Sequence, residues 1–416
     1  MGQIKVIRRP ILRIMLAAAL VAGGCSWLET SGDGTARCDK FPRGGRLGGR
    51  GGRTSDTTSA GQQFVPDTLV WACAVQVPDD YYWPRDTAMG VMEARLLLFR
   101  DGEQVLSLPV GAAHGISANP ETHHLADGHL YTEFNSSSGT QIRRDGEIVC
   151  SYEGREVLKG LLPAEDGLHT LGFDKDDNSL VYRVNGTIML KMDGVRAFGG
   201  PGENSPALYA DGGHVYFATY GSGTICLVTD GSFKKVDVPS NSVMDYRIIG
   251  GVPHSVYVLG SNVFLMEDKK KSVLCEKKGA LEDFSVMDAD DGVFAAGTSW
   301  GKTLVRNVRD SCTLYFEGES LFLYESGGKM FSVKAGRPVT VREADVGTSG
   351  SGKLLLEEDG CYFFSRGCAA TLGERVYLAV SKENGRPFIW KDGEKLMEFD
   401  INGYLTGVEV QITLPN

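Results

Sequence analysis

Helical periodicity is the first thing this sequence lacks. No long segment repeats its apolar residues every 3.6 positions between capping residues, which excludes a helical bundle. Long apolar runs are missing as well. Ile14 to Val21 is the h-region of an export signal and is too short to cross a bilayer as a stop-transfer helix. Large apolar residues are almost absent between Phe41 and Gln63, so that stretch cannot bury enough surface to offset chain entropy. Basic residues are in the minority, 43 Lys and Arg against 53 Asp and Glu, for a net charge of −10. Their distribution is uneven. Residues 1–66 carry ten basic and four acidic side chains, a charge of +6, which leaves −16 for residues 67–416. An acidic domain argues against nucleic acid or an acidic polymer as a general partner.

What is present is a repeat, clearest from Arg375 to Phe399. Val376-Tyr377-Leu378-Ala379-Val380 alternates, Phe388-Ile389-Trp390-Lys391 forms a second run, and Lys395 to Phe399 a third. Period-two alternation places apolar side chains on one face of a strand. Asp392-Gly393 between the last two runs is a hairpin signal, because a type I′ turn needs positive φ at both central positions. Comparable runs start at Val70, Leu130, Val181, Val215, Val256, Val293 and Leu321, with a mean spacing near 44 residues to Val376. That spacing fits a four-stranded propeller blade. Two families of Asp-Gly turns accompany them. Asp127-Gly128, Asp211-Gly212, Asp291-Gly292 and Asp359-Gly360 precede such runs. Asp101-Gly102, Asp145-Gly146, Asp193-Gly194, Asp230-Gly231 and Asp392-Gly393 close the later hairpins.

The fold expected is therefore all-β, an eight-bladed β-propeller, with seven blades as the alternative because the Leu321 unit lacks a clear inner strand. The domain opens in mid-unit at Thr68 to Ala72 and ends with an extra run, Leu405 to Ile412. The C-terminal strand is expected to pair into the first blade, which removes the exposed edges of an open array. With units of the form VYxAx…WKDGE, residues 68–412 resemble the repeat-propeller lipoproteins of Gram-negative envelopes. That resemblance speaks for architecture and not for activity.

Residues 1–25 read as a signal peptide. Lys5, Arg8, Arg9 and Arg13 precede the apolar run, which ends in Ala22-Gly23-Gly24-Cys25. Small residues before a cysteine resemble a bacterial lipobox, and the resemblance makes Cys25 the lipidated residue. An ordinary cleaved signal is the alternative. Residues 26–66 read as a flexible Gly/Arg/Ser-rich tether; Arg43-Gly44-Gly45 and Arg50-Gly51-Gly52 are similar to an RGG box, a poor reading behind an export signal. Residues 67–416 form the propeller domain. The location expected is the cell envelope, on the outer membrane, with the face left open.

Each motif that could carry chemistry has a plainer reading. Gly297-Thr298-Ser299-Trp300-Gly301 matches GxSxG, but no helix follows to form a nucleophile elbow. Gly347 to Lys353 matches GxxxxGK, but Leu354 stands where a P-loop needs a hydroxyl. Asp174, Asp176, Asp177 and Asn178 crowd one turn, yet Ser179 and Asn185 occupy the Gly and Glu places of a calcium loop. His114, His123, His124 and His129 are close in sequence, but adjacent strand residues point to opposite faces. Among the eight cysteines after Cys25, Cys361 and Cys368 are the pair best placed for a disulfide, while Cys150, Cys275 and Cys312 read as small buried hydrophobes. No metal, cofactor or catalytic residue is expected.

One insertion, Gln76 to Glu93, carries Tyr81, Tyr82 and Trp83. These aromatics could stack on a sugar or a partner, or pack down as a plug. The function expected is that of a lipid-anchored binding or scaffold protein for a glycan, peptide or partner protein. The alternative is a propeller hydrolase or lyase acting on a glycan, which would need two carboxylates at a defined separation.

Overall fold

Strand alternation and Asp-Gly or Asn-Gly turns build an all-β chain. The computed structural model describes residues 67–79 and 93–413, apart from 138, 199–206, 222–223, 237–242, 261, 269, 277–280, 290–291, 300–301, 308–312, 318–321, 327, 335–337, 347–350, 365, 373–374 and 384. The described residues contain 34 strands and two short 3₁₀ turns, Pro120–Thr122 and Arg366–Cys368. The strands group into eight antiparallel sheets, six of four strands and two of five. Sheet 1 joins Asp67–Gln76, Arg95–Arg100 and Glu103–Pro109 to Gly403–Thr413. Sheet 2 holds His123–Ala126, His129–Ser136, Gly139–Arg144 and Glu147–Tyr152. Sheet 3 holds Glu156–Ala164, Gly167–Asp174, Ser179–Val184 and Thr187–Asp193. Sheets 4 to 8 follow in chain order within residues 196–236, 243–276, 281–317, 322–358 and 361–398. Each sheet packs on the next, and the eighth packs on the first, giving a β-propeller.

The closure expected from the sequence is present. Asp67–Gln76 pairs along its whole length with Gly403–Thr413, from Asp67 opposite Thr413 to Gln76 opposite Gly403. The ladder shifts by one residue between Cys73 and Ala74, so that Thr406 is the extra residue of the C-terminal strand. Gly403 is required at the end of that strand: at φ +159, an added Cβ would stand 2.0 Å from the Val75 carbonyl oxygen.

Two features repeat around the ring. The first is a tie between the turn joining a sheet's last two strands and the start of its second strand. Asp101, Asp145, Asp230 and Asp392 have positive φ, and each accepts a backbone N–H through Oδ1, from Val70, Leu130, Val215 and Val376 respectively, at 2.8–3.0 Å. Asn185 plays the same part toward Leu168 in sheet 3. The second is a bulge in the outermost ladder of sheets 1, 2, 3, 5, 7 and 8. The extra residue there is apolar every time: Val105, Val149, Met189, Leu274, Leu355 and Leu396. Bulges of this kind twist an exposed edge away from unwanted pairing.

Some unit assignments shift. Val181 lies in the third strand of sheet 3, not the second, which is Gly167–Asp174. The cause is that Asn185-Gly186 replaces Asp-Gly in that hairpin, since Asn also tolerates positive φ. Phe322–Ser326, which follows Leu321, is the first strand of sheet 7, and Lys329–Lys334 is the second. That accounts for the uneven spacing there and supplies the inner strand that the Leu321 unit lacked. Asp193-Gly194 ends sheet 3 rather than closing a hairpin, and Asp211 precedes a Gly212-Gly213 turn.

Candidate functional site

Aligning the second strands on their tied residues makes one position stand out. Three residues beyond Val70, Leu168, Val215 and Val376 lie Cys73, Leu171, Ala218 and Ala379, all buried. Three residues beyond Leu130 lies a carboxylate, Glu133, which is only 4 % exposed. It sits at the seam between sheets 2 and 3. Glu133 Oε1 accepts the Asn135 side-chain amide at 2.6 Å and the Leu158 N–H of sheet 3 at 3.3 Å.

Behind it lies a second buried carboxylate, Glu156, at the start of sheet 3 and 1 % exposed. Arg183 approaches it with Nη2 at 2.6 Å and Nε at 3.3 Å. Arg183 also donates to the Gly186 carbonyl and lies 4.0 Å from the centre of the Tyr152 ring. Gly172 makes room for Glu156, since a Cβ there would be 2.7 Å from Oε2. The two acids are linked through neutral groups. The Thr140 hydroxyl donates to Asn135 Oδ1 at 2.6 Å and accepts the Glu156 N–H at 3.1 Å. Burial raises the pKa of both acids; hydrogen bonds from Asn135 and Arg183 oppose it, and each carboxyl lies in the field of a further acid, Glu156 for Glu133 and Asp174 for Glu156.

Other seams carry polar groups as well. In sheet 5, Asp245 accepts the Val286 N–H of sheet 6 at 2.8 Å and Arg247 Nε at 3.3 Å. At the closure, buried His123 bonds the Ser117 carbonyl through Nε2 at 2.8 Å and Thr406 through Nδ1 at 3.4 Å. Burial holds His123 neutral, with its pKa lowered to about 4.

The residues singled out in the sequence fare differently. Cys25 and Tyr81, Tyr82 and Trp83 lie outside the described residues. The four histidines do not converge. His123 is buried at the closure, His129 bonds Asp145 at 2.5 Å, and His114 is exposed. Gly297 to Ser299 ends a strand that pairs back on Lys302, so no elbow forms there. Lys353 opens the strand Lys353–Glu358, and the rest of that near P-loop lies largely outside the described residues. Asp174 caps its own turn by accepting the N–H groups of Asp176 and Asp177, and Lys191 bridges Asp174 and Asp177. Among the described residues no group of acids, histidines and cysteines is arranged to hold a metal. Cys361 and Cys368, the candidate pair, are both buried and no disulfide joins them. The Glu133–Glu156–Arg183 cluster was missed in the sequence. The signal for it was a single acid at an otherwise small or apolar repeat position.

No family model matches the chain, and no curated protein is similar to it at a significant level. Among solved structures it is similar to a Bacteroides uniformis protein named as a candidate 6-phosphogluconolactonase, with 11 % identity, TM-score 0.39, and 83 % of this chain and 100 % of that chain covered. The WD40 propeller domain of Doa1 gives 14 %, 0.39, 78 % and 97 %. Hsv2p of Kluyveromyces lactis gives 12 %, 0.40, 65 % and 94 %. Values this low carry no inference about ligand or activity.

Proposed function

We propose that the chain is a lipid-anchored envelope propeller that binds and scaffolds a partner protein, with Cys25 as the lipidated residue, residues 26–66 as the tether, and Tyr81, Tyr82 and Trp83 as a second contact. The observation that carries the binding role is an apolar band on the outer strands of three consecutive sheets. Val105, Ile148, Val149, Ile188 and Met189 are 38–51 % exposed there. Neighbouring sheets touch at the turns that lead into these strands: the Gly146 turn abuts Leu108 of sheet 1, and the Gly186 turn abuts Cys150 of sheet 2. Exposed apolar residues that recur at one place on successive sheets offer an association surface to a partner.

The glycosidase alternative gains nothing from the buried acids. Glu133 and Glu156 are enclosed, and Glu156 is already paired with Arg183. A photo-crosslinker placed at Val149 or Met189 in intact envelopes tests the reading. One discrete adduct is expected, weakened by Ile148→Glu, and no such adduct from Asp177 on a polar turn. Equal, diffuse labelling from all three positions would discard it. Incorporation of labelled palmitate that is lost in Cys25→Ala tests the anchor separately.

A further inference from the structure

We propose that Glu133 makes the seam between sheets 2 and 3 proton-sensitive: the seam is tight while this carboxyl carries a proton and loosens when the proton leaves. The seam contains two buried carboxylates and one buried guanidinium. Glu156 takes that guanidinium through both Nε and Nη2, and the remaining Nη1 is turned to the Gly186 carbonyl. Glu133 is left with dipoles alone, the Asn135 amide from its own strand and the Leu158 N–H from sheet 3. The charged and titratable groups around it are Tyr152 on the last strand of sheet 2, and Glu156 and Lys159 on the first strand of sheet 3. Asp174 and Lys191 stand beyond Glu156. Lys159 is exposed, so water screens its charge. An ionised Glu133 would thus be a second buried negative charge with no buried cation of its own, which is costly. Burial, and then the nearness of Glu156, raise its pKa above the usual glutamate value.

The direction of the effect follows. A carboxyl whose pKa is raised by folding binds its proton more tightly in the folded than in the unfolded chain. Its contribution is fully present below the unfolded value and is lost as pH rises through the folded value. Because Glu133 belongs to sheet 2 and holds the Leu158 N–H of sheet 3, the loss is local to this seam. The repeat-equivalent positions Cys73, Leu171, Ala218 and Ala379 carry no carboxylate, and the buried Asp245 at the seam of sheets 5 and 6 has Arg247 beside it.

The test is amide hydrogen exchange of the full chain between pH 5 and 9, corrected for intrinsic rates, in a peptide spanning residues 156–164. Wild type should lose protection there as pH rises, while Glu133→Gln, uncharged throughout, should keep it. A difference of about tenfold at the alkaline end corresponds to one pKa unit. Identical profiles for the two proteins would overturn the proposal. Should Glu133→Gln fail to fold, the carbon-13 titration of the Glu133 carboxyl in wild type decides alone. A midpoint clearly above that of exposed glutamates supports the proposal, and an ordinary midpoint ends it.

Discussion

Asp145 holds Leu130 in place. Its Oδ1 accepts the Leu130 N–H at 2.9 Å, and its own N–H returns a bond to the Leu130 carbonyl at 2.8 Å. Its second oxygen takes His129 Nδ1 at 2.5 Å. The Asp of this Asp-Gly turn therefore does two things: it tolerates φ +52, and it accepts the N–H of the second residue of the strand His129–Ser136.

Replacing Asp145 with Ala removes the acceptor and leaves a β-carbon at positive φ. The expected cost is about 1–3 kcal/mol in the free energy of chemical unfolding. Asp145→Asn should cost less than half as much, because Asn185 makes the same tie to Leu168. Equal losses for Ala and Asn would show that the tie contributes nothing beyond turn geometry.

The pair Glu156 and Arg183 should behave as a buried unit. Glu156→Gln or Arg183→Met alone leaves one enclosed charge without its partner, an expected loss of about 3–5 kcal/mol. The double variant should lose less than the sum of the two. Denaturation midpoints of all four proteins complete the cycle. Additive losses would mean that the two side chains are not coupled.

Acid should weaken the closure. His123 is buried and neutral, with its pKa lowered from 6.5 to about 4, because burial disfavours the imidazolium. Below pH 6.5 the unfolded chain takes up a proton that the folded chain refuses. The stability contributed by this group is therefore present above about pH 6.5 and is lost as pH falls toward 4, on the order of 3 kcal/mol in all. The unfolding free energy of His123→Gln, measured from pH 7 to 4, should fall less steeply than that of wild type. His124, whose ring Nε2 is also buried, has the same direction of shift and acts in the same window.

Two thiols should resist labelling. Burial pushes Cys73 up to about 12 and Cys361 up to about 11, so almost no thiolate exists at pH 8. Maleimide should leave both unmodified in the native chain and modify both in denaturant, as read by mass spectrometry. Rapid modification of either in the native chain would contradict its placement.

The parts of the fold that depend on nearest neighbours were legible in the sequence. Alternation around Val376 to Val380, the Asp-Gly turns and the unfinished first unit led to strands, hairpins and the pairing of Asp67–Gln76 with Gly403–Thr413. Pattern misleads where one residue type substitutes for another at the same geometry: Asn185 stands where other hairpins carry Asp, which puts the expected phase of sheet 3 off by one strand. The seam cluster was harder to see. Glu133 and Arg183 are 50 positions apart, and neither lies in a motif. What joins them is the packing of one sheet on the next, which local pattern does not encode. The tied residues supply the alignment that exposes Glu133, but only once their hydrogen bonds are known.

The pairing of the earliest strand with the latest has a consequence for biogenesis. During synthesis the segment Asp67–Gln76 emerges first and must wait for Gly403–Thr413, more than 300 residues behind it. Until then the nascent chain presents two unsatisfied edges and cannot close through local contacts alone. Its locking step therefore waits for that last strand, and whatever shields the first strand during the delay would govern yield without altering the finished molecule.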